Sequence, residues 1–348
     1  MRVAVLGLGL IGGSVGLAAR AAGIRVTGWD PDPDAAAAAL ARAAADVVAG
    51  TPGEALAGAE AAFVAAPVDV LVQAVADALH DAPADCVVSD VGSVKGPVVE
   101  VAGEDERFVG GHPLAGAEAA GAAHARGDLF VGAVWYLTPT RRTSGVLYER
   151  LHRLVAAFGA RPEAIEPDVH DRRMGAVSHL PHVVANVLVE LAARELEGGA
   201  PAIGPSFRDA TRVAGANPRL WAGIYAANRA VLAGQLDAAI AALARARDDL
   251  RGGGDLRAWQ EAVAGDRRAL LEERLVGEAQ RELRVAVPNR PGVVADIALA
   301  LGREGINISD MSLAPSADRT QGTVSLWCAV TDADRATALV ADLGFPVS

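Results

Sequence analysis

Cysteine is nearly absent: Cys86 and Cys328 are the only two in 348 residues, and each sits far from the other inside an apolar run. That excludes a disulfide-stapled scaffold or a multi-cysteine metal site, and predicts two buried thiols in a reducing compartment. Net positive charge is lacking too. With 43 acidic and 32 basic residues the chain carries −11, so it should attract neither nucleic acid nor an anionic membrane, and an anionic substrate would need local positive charge. The apolar first dozen residues are broken by Gly7, Gly9, Gly12 and Gly13 and lack an A-x-A cleavage site. No later run approaches the roughly 18 uninterrupted apolar residues of a membrane span, so a cytoplasmic location is expected.

What is present describes a large globular protein. Hydrophobic residues make up 51% and charged residues 22%, with Gly and Pro scattered, and the length predicts two or three domains. Up to about residue 166, β-rich runs (3–6, 25–29, 61–65, 86–90, 108–110, 133–138) alternate with Ala-rich helical stretches. This rhythm indicates an α/β, doubly wound parallel sheet. Residues 167–278 change to long segments of helical period (177–196, 219–233, 236–250, 259–276), an all-α domain. From 282 to 348 the order is strand 283–287, helix 293–303, strands 306–313 and 323–330, helix 332–341 and a short last strand. That βαββαβ order is an α+β, ferredoxin-like unit.

The first strand runs directly into Gly7-Leu-Gly9-Leu10-Ile11-Gly12 and then a helix. This is the context a G-x-G-x-x-G dinucleotide loop requires. Gly7 permits the tight turn, Gly9 lets a pyrophosphate approach the backbone, Gly12 lets helix and strand pack, and the helix start offers N–H groups to phosphate. Asp30 ends the second strand, where a carboxylate accepts from both ribose hydroxyls and repels a 2′-phosphate. NAD is the expected cofactor, in a Rossmann-like domain.

His112 lies in Gly110-Gly-His-Pro-Leu-Ala-Gly116 after a strand, on the ligand edge of an open sheet, poised either as a base or merely to bond a backbone carbonyl. His124 and His170 are further candidates. His179 and His182, in Ser178-His-Leu-Pro-His182, share a helical face, but Pro181 distorts it and no Glu accompanies them, so no metal is expected. The apolar neighbours of His182 assign it to the core or to a supporting layer; His179 stays open. Asp90-Val-Gly-Ser93-Val-Lys95 also follows a strand, so Ser93 and Lys95 are placed to face nicotinamide or substrate, with Ser93 alternatively a helix cap. Phe207-Arg-Asp-Ala-Thr-Arg212, followed by Trp221, can present a guanidinium to a carboxylate, or bury it in a surface pair with Asp209.

Together these motifs, in this order over nearly the whole chain, resemble the prephenate dehydrogenase family of tyrosine biosynthesis with a C-terminal ACT domain. The resemblance implies NAD-dependent oxidative decarboxylation of prephenate to 4-hydroxyphenylpyruvate. It implies His112 as catalytic base oriented by Ser93, Arg212 on a substrate carboxylate with His179 and Trp221 nearby, and a homodimer built through the helical domain. In the ACT-like region Asn289, Gly292 and Asn307 are the candidate regulatory residues and tyrosine the candidate effector, although many such modules carry Asp where Asn289 stands. Two rival readings stay open: the same chemistry on arogenate, and a noncatalytic amino-acid sensor with a vestigial nucleotide domain.

Overall fold

In the first strand, side chains alternate between two buried faces. Val3 and Val5 enter one apolar cluster with Val15, Val26, Phe63 and Trp135, while Ala4 and Leu6 enter another with Leu56, Val64, Leu71, Val88 and Phe108. A strand dry on both sides belongs inside a parallel sheet covered by helices. The structure is a computed structural model, and it describes all residues except 117–120, 196–202, 273–279, 289–292, 294–295, 298–299, 302–303, 305, 307, 309 and 317–319.

The strands β1 (Arg2–Leu6), β2 (Arg25–Trp29), β3 (Val47–Val48), β4 (Ala61–Val64) and β5 (Val87–Asp90) form a parallel sheet in the order β3-β2-β1-β4-β5. The order reverses between β1 and β4, and at such a switch point the carboxyl edge opens a crevice for ligands. Helix α1 (Leu10–Ala21) follows β1, and α2 (Pro33–Ala41), α3 (Pro52–Leu56) and α4 (Val68–Asp81) connect the next strands. The short α5 (Gly96–Ala102) follows β5. A parallel bridge from Val88 to Phe108 leads to β6 (Gly110–Pro113). That strand pairs antiparallel with β7 (Val134–Thr138), which pairs in parallel with β8 (Arg161–Ala164); α6 (Gly145–Ala157) lies between these two in sequence.

After β8 the chain is helical. Helix α7 (Pro167–Met174) passes through one π-type turn, Gly175–His179, into α8 (Leu180–Glu195), and α9 (Pro205–Thr211), α10 (Pro218–Ala227) and α11 (Arg229–Arg251) follow. The expected break between residues 233 and 236 is absent. The chain breaks at Asn228 instead, whose buried amide bonds the Asp171 carbonyl at 2.9 Å and His179 Nδ1 at 3.0 Å. The segment Pro167–Glu195, with mean hydropathy 1.3 and an outer face carrying exposed Val184, Val187, Leu188 and Leu191, is long and apolar enough to cross a membrane. Its first half, however, carries the buried polar residues His170, Asp171 and His179.

The chain divides into two compact units, Met1–Ala241 and Ala242–Ser348. The expected boundary at residue 166 therefore lies within the first unit. In the second unit, β9 (Gln280–Pro288), β10 (Asp310–Pro315) and β11 (Gln321–Ala329) make an antiparallel sheet in the order β10-β11-β9, and Val347 bridges to Val285 as the last edge. Alternate residues Leu283, Val285 and Val287 of β9 face Val324, Leu326 and Cys328 of β11 in one core, beneath Ala333, Ala336 and Val340 of the helix Val330–Asp342. Both cysteines are buried free thiols. Asn289, Gly292 and Asn307 lie outside the described residues.

Candidate active site

Gly7 has φ +96°, and a Cβ there would meet the Ala65 carbonyl oxygen at 2.5 Å. A Cβ on Gly12 would lie 1.8 Å from the Gly7 oxygen, whereas one on Gly9 would meet nothing within 4 Å. The first and third glycines are thus required by packing, and the second faces open space, which is what a phosphate needs for close approach. Leu10 and Ile11 open α1, so their N–H groups have no earlier helical carbonyl to bond. Half-buried Asp30 accepts from Leu8 N at 2.6 Å and from Asp32 N at 2.9 Å. One amide on each oxygen leaves lone pairs for two ribose hydroxyls, so loop and carboxylate fit a dinucleotide.

His112 ends a chain of hydrogen bonds. Its Nδ1 lies 2.9 Å from His170 Nε2, and His170 Nδ1 lies 2.8 Å from Asp171 Oδ1. The Asp171 carboxylate also accepts from Lys95 N and Gly96 N, each at 2.8 Å, and so caps α5 from the helical segment. That role excludes Ser93 as the cap. Ser93 is half-buried in the β5–α5 turn. Burial pushes the His112 imidazole well below its usual pKa, and the nearby His170, Lys95 and His179 push the same way. A neutral ring at ordinary pH is the form a general base needs.

Lys95 is placed differently from the expectation. It is wholly buried, with Nζ on the equally buried Asp90 carboxylate and 2.6 Å from the Gly111 carbonyl oxygen. Asp90 in turn accepts from Gly111 N at 3.1 Å and Gly92 N at 2.8 Å. Rather than facing nicotinamide, this ion pair clamps the residue before His112.

A third cluster lies in the helical segment. His182 stacks on Trp221 with ring centroids 3.3 Å apart, and burial together with the Arg212 charge lowers its pKa. His179, by contrast, is buried, bonds Asn228, and is pushed down to about 4, chiefly by burial. Both histidines pack against Trp221, His179 edge-on with ring centroids 6.1 Å apart and His182, expected in the core or a supporting layer, face to face.

A prephenate dehydrogenase of Bacillus subtilis (strain 168) is 30% identical over 344 residues, covering 93% of this chain and 91% of that protein. The chain belongs to the prephenate dehydrogenase family. The family's nucleotide-binding domain matches residues 15–164, its dimerization domain residues 166–258, and an ACT domain residues 281–344. Among solved structures, prephenate dehydrogenase from A. aeolicus in complex with hydroxyphenyl propionate and NAD+ has a TM-score of 0.67 at 26% identity, covering 79% of this chain and 97% of that one. Synechocystis arogenate dehydrogenase has a TM-score of 0.68 at 27% identity, covering 77% and 99%.

In this member of the prephenate dehydrogenase family the nucleotide-binding match begins after the glycine loop, so the roles of Gly7, Gly9 and Gly12 rest on their geometry. Asp171 is no candidate from the sequence, and His170 is one without an assigned role, because neither sits in a turn after a strand. Their only local signal is adjacency at the start of a helix.

Proposed function

We propose that this enzyme carries out the NAD-dependent oxidative decarboxylation of prephenate to 4-hydroxyphenylpyruvate, with His112 as the base. The observation that carries this reading is the half-buried His112 imidazole, bonded to His170, on β6, which runs on from the parallel Val88–Phe108 bridge towards the carboxyl ends of the five-stranded sheet that bears the Gly7–Gly12 loop and Asp30. When bound, NAD accepts the hydride from the carbinol carbon. The His112 Nε2 lone pair takes the hydroxyl proton, and departure of the ring carboxylate as carbon dioxide leaves an aromatic product. Arg212 supplies the local positive charge that an acidic protein must provide for a dianion, and Trp221 with His182 offers a flat surface to the substrate ring. Ser93 is assigned to the same cleft, as a hydroxyl beside the base.

The exposed apolar face of α8 is read as the contact between two copies, because the family's dimerization domain covers it. That reading accords with a cytoplasmic enzyme. The ACT unit is read as the receiver of a small-molecule effector, with tyrosine, the end product, as the proposed ligand through Asn289, Gly292 and Asn307.

Steady-state assays of prephenate and arogenate, each with NAD and NADP, test the assignment. Prephenate with NAD should give the highest kcat/KM. A clear preference for arogenate, the substrate named for the Synechocystis neighbour, would replace the substrate while keeping the chemistry. No turnover of either would leave the sensor reading standing.

A further inference from the structure

The hydrogen bonds behind His112 run in one direction. Asp171, as a carboxylate, only accepts, and besides the two backbone N–H groups of α5 it faces His170 Nδ1 at 2.8 Å. The proton in that bond therefore sits on His170 Nδ1, and in a neutral imidazole this leaves His170 Nε2 as a bare lone pair. The next bond, 2.9 Å to His112 Nδ1, then needs its proton from His112. A neutral His112 protonated at Nδ1 has its lone pair at Nε2.

We propose that Asp171, acting through His170, holds His112 in the tautomer whose Nε2 is free to take the substrate proton. His170 and Asp171 are positioning residues, and the idea rests on the assignment of His112 as base. The titratable groups around this line are Asp90 at the end of β5, Lys95 at the start of α5, His170 and Asp171 from α7, Tyr136 of β7, which lies edge-on to His170, and His179 from the π-type turn. Lys95 and Asp90 are occupied with each other and with Gly111, and His179 with Asn228. Asp171 is thus the carboxylate in direct line with the base. The line also serves the reaction. When His112 takes a proton at Nε2, its Nδ1–H still donates to His170, and the new charge stays on His112, stabilised by that bond and by the nearby Asp171 carboxylate. The junction depends on tertiary packing, since His112 and His170 lie 58 positions apart.

The test uses the full-length enzyme. With only seven histidines, ¹⁵N-histidine NMR can identify His112 by its loss in His112→Gln and read which ring nitrogen bears hydrogen. The expected result is Nδ1–H with a bare Nε2. Asp171→Asn should shift His112 towards the Nε2–H form and lower kcat by about 10²- to 10⁴-fold, as loss of an orienting carboxylate does in other imidazole bases, with KM and NAD affinity within about twofold. His170→Gln should do the same while leaving the α5 cap in place. An Nε2–H tautomer in the unmodified enzyme would overturn the proposal, and that measurement holds even if Asp171→Asn fails to fold. Folded, NAD-binding His170→Gln with kcat within about threefold would overturn it as well. Normal turnover by His112→Gln would instead remove the base assignment itself.

Discussion

Replacing Lys95 by Met removes the cation from a pair in which both members are wholly buried. The methionine fills nearly the same volume, so the cost is electrostatic. Asp90 would keep the Gly92 and Gly111 amides, at 2.8 and 3.1 Å, while losing its counter-charge, and the Gly111 carbonyl would lose a donor now 2.6 Å away. Breaking a buried pair from one side costs about 3–5 kcal/mol, most of it the penalty of an uncompensated charge. Against a total stability of roughly 5–15 kcal/mol, Lys95→Met should still fold, with a much lower urea midpoint and an unchanged m-value. Adding Asp90→Asn removes the stranded charge, so the double variant should regain part of the loss. Urea unfolding of the single and double variants at pH 7, followed by circular dichroism, reads both quantities. A loss below about 1 kcal/mol for Lys95→Met, the size of an exposed pair, would refute the reasoning, as would a double variant less stable than the single. Because Gly111 precedes His112, the single variant should also lose kcat at temperatures where it remains folded.

Asp30→Asn keeps an oxygen for Leu8 N but gives up the charge that favours ribose hydroxyls over a 2′-phosphate; the ratio of kcat/KM for NAD to that for NADP should fall by about tenfold, and an unchanged ratio would discard the assignment. Since burial lowers the His112 pKa and the base works deprotonated, activity is lost only as pH falls through that lowered value. The acid limb of kcat/KM should therefore lie well below the ordinary histidine value near 6.5, and a limb at or above 6.5 would count against His112. Tyrosine titrated into the full chain should change apparent prephenate affinity by about 5- to 150-fold, the range of ordinary site-to-site coupling. Asn307→Ala should weaken that response, and equal responses in both would move inhibition to the active site.

Much of this protein follows from local rules. The strand, glycine loop and helix from Arg2 to Ala21 could be read directly, because a backbone with φ +96° at Gly7 and a contact that admits no Cβ at Gly12 leave a narrow choice of residues at fixed spacing. The parallel sheet, the helical region and the antiparallel C-terminal unit were legible for a similar reason, since strands buried on two faces, helices and half-exposed strands each impose their own hydrophobic period. Burial of polar side chains carries no such period. Lys95 reads as a loop cation aimed at a ligand, and only the packing of β5 beside β6 turns it inward onto Asp90 and Gly111. His179 and His182 are equivalent in sequence, and the π-type turn together with α10 decides that one bonds Asn228 while the other stacks on Trp221. His170 and Asp171 acquire their role when α7 docks against α5 and β6. Sequence patterning thus set the elements and the ligand edge, while the protonation geometry of the base depended on contacts between distant segments, which no local pattern encodes.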